Sequence, residues 1–148
     1  MNPCRLIYKS TAVEVPVSNE SIRDLIDHSS KKNSDAGITG LLLLCGRHFL
    51  QVLEGPPEKV NALFQKISVD SRHHTVELIE FQVSAESLFQ EWSMRLVDLY
   101  DLPGEKRKLL MDKYEHADGE IFIPKEAVRV ISLLLDARAI CLTTPWKE

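Results

Sequence analysis

Two apolar runs separated by a short turn limit what this chain can fold into. They are Gly37-Ile38-Thr39-Gly40-Leu41-Leu42-Leu43-Leu44 and Phe49-Leu50-Gln51-Val52-Leu53-Glu54-Gly55, joined by Cys45-Gly46-Arg47-His48. Such a pair reads as a β-hairpin. The second run alternates, so Phe49, Gln51 and Leu53 share one face. A carboxamide therefore stands where a strand would ordinarily bury a branched aliphatic. Left without a partner there, it would cost about 1–3 kcal/mol, so something polar must meet it.

The flanking segments supply candidates. Cys4 to Lys9 reads as a strand with Leu6 and Tyr8 on one face and Arg5, Ile7 and Lys9 on the other. Ser18 or Asn19 can cap a helix running to about Lys31, whose apolar stripe Ile22, Leu25, Ile26 is completed by Ser29. Asn33 follows at the helix end. After the hairpin, Pro56-Pro57 starts a second helix burying Val60, Leu63, Phe64 and Ile67. A strand from about Thr75 to Val83 comes next. A fifth is expected near Phe89 to Val97, with Trp92, Met94 and Leu96 on one face. The order gives an α+β fold: a ferredoxin-like βαββαββ sheet with two helices on one face.

Beyond Leu102-Pro103-Gly104 the pattern changes. Glu105 to Tyr114 reads as a short charged helix, Asp118-Gly119 as a turn, and Pro124 to about Ile140 as a helix apolar around most of its circumference. A helix of that kind is buried on more than one side, on the open sheet face, against a second subunit, or both. The division expected is a sheet-and-helix unit over 1–98 and a C-terminal two-helix extension over 99–148.

Tyr8, Ser29, Asn33, Gln51 and Trp92 thus aim polar groups at one apolar layer. Each alone fits a satisfied core group; together they make the kind of cleft an organic cofactor needs. With 148 residues and a net charge of −4 without a basic block, the chain carries no nucleic-acid footprint. Apolar stretches such as Leu41 to Leu44 fall far short of a membrane span. Cys4, Cys45 and Cys141 lack metal-type spacing and suit reduced thiols in the cytoplasm. Ser29, His73 and Asp70 lack the framing of a hydrolytic triad, no metal set is evident, and Gly37-x-x-Gly40 is not a phosphate loop.

These residues, in this order, resemble the BLUF family, sensors of blue light using flavin adenine dinucleotide. The likeness covers about Cys4 to Val97: Leu-Ile-Tyr-Lys-Ser at 6–10, Asn33, Gly-Ile-Thr-Gly-Leu-Leu at 37–42, Phe-Leu-Gln-Val-Leu-Glu-Gly at 49–55, Asp-x-Arg-His at 70–73, and Phe-x-x-Trp-Ser-Met at 89–94. The resemblance implies a photoreceptor, not an enzyme, that binds FAD, with FMN a second option. The photoactive set it implies is Tyr8, Gln51, Asn33, Trp92 and Met94, with Trp92 and Met94 able to exchange places. Flavin contacts would come from Tyr8, Leu25, Ile26, Ser29, Lys32, Asn33, Ile38, Phe49, Gln51, Lys66, Ile67 and Met94, with Asp70, Arg72 and His73 toward the ribityl and phosphate end. Lys32 stands where the family often has Asn or a basic residue, and Leu88 where it often has Arg.

The implied mechanism is light-driven electron and proton transfer from Tyr8 to the flavin. It leaves the Gln51 amide rotated or tautomerised and the absorption slightly red-shifted until darkness restores it. The signal then passes along the last strand to the C-terminal helices. With only about 50 residues after the sensor, it is expected to reach a second copy of the chain or a separate partner. The competing reading is a flavin-free ferredoxin-like ligand- or protein-binding regulatory module, which would purify colourless. A light-independent flavin enzyme would need an acid-base cluster that the sequence does not offer.

Overall fold

A computed structural model of the chain describes residues 3–13, 20, 24, 31–83 and 86–143. Leu25, Ile26 and Ser29, three of the expected flavin contacts, lie outside the described residues.

Five strands form one sheet: β1 (Cys4–Ala12), β2 (Thr39–Cys45), β3 (His48–Gly55), β4 (His73–Gln82) and β5 (Arg95–Asp98), in the order β4-β1-β3-β2-β5. All pairings are antiparallel except β2 with β5, which is parallel. The expected hairpin is β2–β3, closed where Cys45 pairs with His48 and Gly46 takes φ +65°. Between β1 and β2 the chain is helical at the described residues 20, 24 and 31–36, which are assigned to helix α1. Helix α2 (Pro57–Ser68) joins β3 to β4.

Gly37 explains the end of α1. It adopts φ +72°, its N–H bonds Ser34 O at 3.1 Å, and Ile38 N–H bonds Asn33 O at 2.8 Å. That pair of bonds is the Schellman motif, and the left-handed residue it needs is cheapest as glycine. The cap fixes Asn33 at the start of the last turn, from which its side chain turns inward.

The sheet divides two cores. On one side Cys4, Leu6, Tyr8, Leu42, Phe49, Leu53 and Met94 pack with Ile38, Val60, Leu63, Phe64 and Ile67. The opposite face offers Ile7, Leu41, Leu43, Leu50, Val52 and Val97, covered by Val130, Leu133, Leu134, Ala137 and Ile140. Those last five lie on α4 (Ala127–Thr143), preceded by α3 (Gly104–Lys113). The apolar helix expected from Pro124 therefore starts three residues later and does cover the open sheet face. Tyr114 anchors α3 to α4, its hydroxyl donating to Asp136 at 2.6 Å and meeting Ser132 at 2.8 Å. Asp118 and Gly119, at φ 53° and 81°, turn a two-stranded ribbon, β6 (His116–Ala117) with β7 (Glu120–Ile121). That pair of dihedrals belongs to a type I′ hairpin turn.

The fifth strand needs correction. It begins at Arg95, not near Phe89, so residues 89–94 are irregular and the period-2 rule does not link Trp92 to Met94. Met94 joins the helix-α2 side, whereas Trp92 packs against the α4 side under the guanidinium of Arg95, 5.6 Å from its ring centroid. The two side chains expected on one face stand on opposite faces. The physical reason is tertiary: Trp92 O accepts Gly40 N–H at 3.0 Å, so a residue distant in sequence pins the chain before it enters the ladder.

Candidate functional site

Cross-strand register makes the site. Tyr8 on β1 lies directly opposite Gln51 on β3. Both are buried, and the phenol donates to Gln51 Oε1 in a short hydrogen bond. The other end of the amide points away: Nε2 donates to Met94 Sδ at 3.3 Å. Asn33, only 2% exposed, donates from Nδ2 to the carbonyl of Ser93 at 3.2 Å. Two buried carboxamides are thus bridged by adjacent residues, Ser93 and Met94. Gly40 permits this, since a Cβ there would lie 3.2 Å from Met94 Cε and 2.1 Å from Val52 O.

Electrostatics keeps the phenol neutral. Burial first, and then the Asp70 carboxylate, push the Tyr8 hydroxyl far above its ordinary range, with Arg72 opposing. Tyr8 therefore holds its proton at any physiological pH and offers it to Gln51. The Asp70 carboxyl is itself held down at about 2, chiefly by its hydrogen bond from Arg72, against some desolvation. Arg72 Nε and Nη2 bind Asp70 Oδ1 and Oδ2 at 2.9 and 2.5 Å, a bidentate pair at the surface.

His73 closes the β1 side. Its Nδ1 is 2.7 Å from Ser10 Oγ and its Nε2 2.6 Å from Ile67 O, with the ring edge-on to Tyr8 and Phe49. Ile38 and Phe49 are buried in the same layer, and Ile67 is half-buried. Lys32 and Lys66 are exposed, on α1 and in the last turn of α2.

Two groups were not anticipated. Ser10 follows Tyr8 by two positions, so strand alternation alone puts it on the same face. Glu54, 2% exposed, pairs with Arg5 at 3.5 Å and accepts Leu88 N–H at 3.0 Å and Phe89 N–H at 2.7 Å. That carboxylate fixes the chain just upstream of Trp92. Its signal in the sequence is an acid in an otherwise apolar strand facing an Arg one strand away. Among the described residues, no group of three His, Cys, Asp or Glu converges as a metal site, and no helix is long and apolar enough to cross a membrane.

The polar set is two carboxamides and a phenol, with a thioether as acceptor, inside an apolar layer. It fits the edge of a flat heteroaromatic ring that alternates carbonyls with N–H groups. The family model for BLUF, sensors of blue-light using FAD, matches residues 4–95. The chain belongs to the BLUF family. It is therefore a blue-light sensor that binds a flavin.

The relatives agree. The blue light- and temperature-regulated antirepressor BluF of Escherichia coli (strain K12) is 33% identical over 95 residues, 64% of this chain and 23% of that protein. BlrB, a BLUF protein solved in its dark state, superposes with a TM-score of 0.73 at 26% identity, covering 95% of this chain and 97% of BlrB. Klebsiella pneumoniae BlrP1, solved with FMN and cyclic diGMP, gives 0.62 at 36% identity, covering 70% of this chain and 27% of BlrP1. This BLUF chain thus spans about a quarter of the E. coli and Klebsiella proteins and nearly all of BlrB.

Proposed function

We propose that the chain switches by reversing the Gln51 carboxamide, with Tyr8 as electron and proton donor and FAD as the chromophore. The observation that carries this reading is the buried chain Tyr8 O–H, Gln51 Oε1, Gln51 Nε2, Met94 Sδ. When bound, a flavin supplies under blue light an oxidant able to draw an electron from a neighbouring phenol. Tyr8 is the phenol at hand, its proton already directed at Gln51 Oε1. Loss of an electron acidifies a phenol sharply, so the proton moves toward the amide. Its return leaves the amide free to settle with its ends exchanged.

The exchange has consequences that follow from donor chemistry alone. With Nε2 toward Tyr8, the phenol oxygen must accept instead of donate. Oε1 then faces Met94 Sδ, and a thioether has no hydrogen to give, so that contact is lost. Met94 therefore reads the orientation of the amide. The polar groups here engage one another, which suits a switch better than turnover; we assign the chain no reaction of its own.

Asn33, Gln51 and Tyr8 would hold the ring edge, with Ile38, Phe49 and Ile67 as apolar walls; Leu25, Ile26 and Ser29, outside the described residues, are contacts that the family resemblance implies. Lys32, Lys66, Asp70, Arg72 and His73 would lie toward the ribityl and phosphate end. Trp92 enters the photoactive set by exchanging with Met94. Residues 1–98 form the sensor and 99–148 the cap and output element, acting on a second copy of the chain or a separate cytoplasmic protein. The antirepressor name of the E. coli relative supports a protein partner. Absorption spectra before and after blue illumination test the reading. A flavin spectrum that shifts a few nanometres to the red and relaxes in darkness is expected, and an unmoved spectrum would refute it. Analysis of the flavin released on denaturation separates FAD from FMN.

A further inference from the structure

Four consecutive residues, 91–94, are each tied to a different element. Glu91 takes an ion pair and hydrogen bond from Arg138 on α4. Trp92 O accepts Gly40 N–H of β2, Ser93 O accepts the Asn33 amide of α1, and Met94 Sδ accepts the Gln51 amide of β3. The next residue returns to α4: Arg95, which covers the Trp92 ring, also interacts with the Cys141 thiol. The segment between the switching amide and the C-terminal helix is thus four residues long, 91–94, and anchored at each one.

We propose that the Glu91–Arg138 pair is a latch by which α4 reads the Gln51 amide, making both residues positioning residues for the Gln51–Met94 contact. The inference rests on the switching role assigned to Gln51 above, with the described arrangement as the resting one. Reversal of the amide removes the anchor at Met94, and Glu91 is too close along the chain to stay unaffected: three residues reach at most about 10 Å. The latch is also set to release. Arg138 Nε is buried without a hydrogen-bond partner, so the closed arrangement carries an unmet polar group that opening would hydrate. Burial is the largest influence on Glu91 and works against its charge, yet the hydrogen bond from Arg138, a backbone hydrogen bond and the Arg138 charge together keep the carboxyl below its ordinary range, so the pair is ionised at neutral pH. By linkage, whatever the amide does to the latch, the latch does to the amide.

The flavin-loaded full chain provides the test. Arg138→Ala and Glu91→Gln should each slow dark recovery of the red-shifted form about two- to five-fold, the range set by a partly exposed ion pair. The double variant should recover no more slowly than either single one, and the exchanged pair, Glu91→Arg with Arg138→Glu, should return toward the unmodified rate. Unchanged recovery in variants that merely melt earlier would overturn the latch. A measurement on unmodified protein guards against variants that fail to fold. Amide hydrogen exchange around Arg138 on α4 should rise under blue light, and equal exchange in light and dark would overturn the proposal. Absence of any red shift in the unmodified chain would instead overturn the switching role of Gln51, and the latch with it.

Discussion

Tyr8 and Gln51 are cross-strand partners in the β1–β3 ladder, and their side chains share a hydrogen bond inside the layer between sheet and helices. Backbone register therefore enforces the pairing on which the switch depends. Gln51→Leu keeps the shape of the site but removes both amide ends. We expect it to bind flavin and to show no light-induced red shift. Spectra of the loaded variant before and after blue light give the answer, and a normal shift would remove Gln51 from the switch.

Tyr8→Phe leaves the amide in place and takes away the donor. The protein should remain yellow and photochemically silent. If it cycles normally, the electron comes from another residue, and Trp92 is the one to replace next, although its ring packs on the opposite side of the sheet.

Gly40 is a spatial requirement, since its φ is not in the left-handed region. Gly40→Ala would drive Cβ against Val52 O and Met94 Cε. Backbone of the central strand cannot move away cheaply, so a loss at or above the usual 1–3 kcal/mol for overpacking, about 3 kcal/mol, is expected. Denaturant titration of the flavin-free chain would measure it. A stability within about 0.5 kcal/mol of the unmodified protein would show that β2 and β3 are less closely held than described.

The ion pair Arg5–Glu54 lies inside the protein, with both side chains at most 8% exposed. Glu54→Ala would take from Arg5 the nearer and more deeply buried of its two carboxylates, leaving Glu80 at 3.7 Å, and would free the amides of Leu88 and Phe89. Leaving a buried charge wholly unpaired costs about 3–5 kcal/mol, and the Glu80 carboxylate that still faces Arg5 holds this loss to the lower end, about 3 kcal/mol. We expect an unfolding midpoint displaced accordingly, and a weakened grip on the segment that carries Trp92, Ser93 and Met94.

Much of this could be read from the chain because each element obeys a local rule. The hairpin followed from two apolar runs and a Gly-containing turn, α2 from Pro56-Pro57 and the spacing Val60, Leu63, Phe64, Ile67. Tyr8 and Gln51 fell on the inner face by alternation. What could not be read lies where no such rule applies. Residues 89–94 look like strand but are held by Glu54, Gly40 and Asn33, all distant in sequence, so the side on which Trp92 packs is decided by tertiary contacts. The Glu91–Arg138 pair joins residues 47 apart and has no local signature.

The Asp70–Arg72 pair gives a pH dependence whose sign can be worked out. The folded carboxyl titrates at about 2 against an ordinary 3.8, so the folded state favours the ionised form. Its contribution is complete above the unfolded value near 4 and is lost as pH falls toward 2. Both groups are partly exposed, with side-chain accessibilities of 29% and 49%, so solvent screening limits the gain to about 0.2–1 kcal/mol. Asp70→Asn should therefore be less stable than the unmodified chain by that amount at pH 6, and the gap should close between about pH 4 and 2. Salt should close it as well, because the pair is at the surface. Urea midpoints for both proteins at pH 6 and pH 3, at low and high ionic strength, measure this. A gap that stayed constant across the window would show that Asp70 acts through some contact other than its charge.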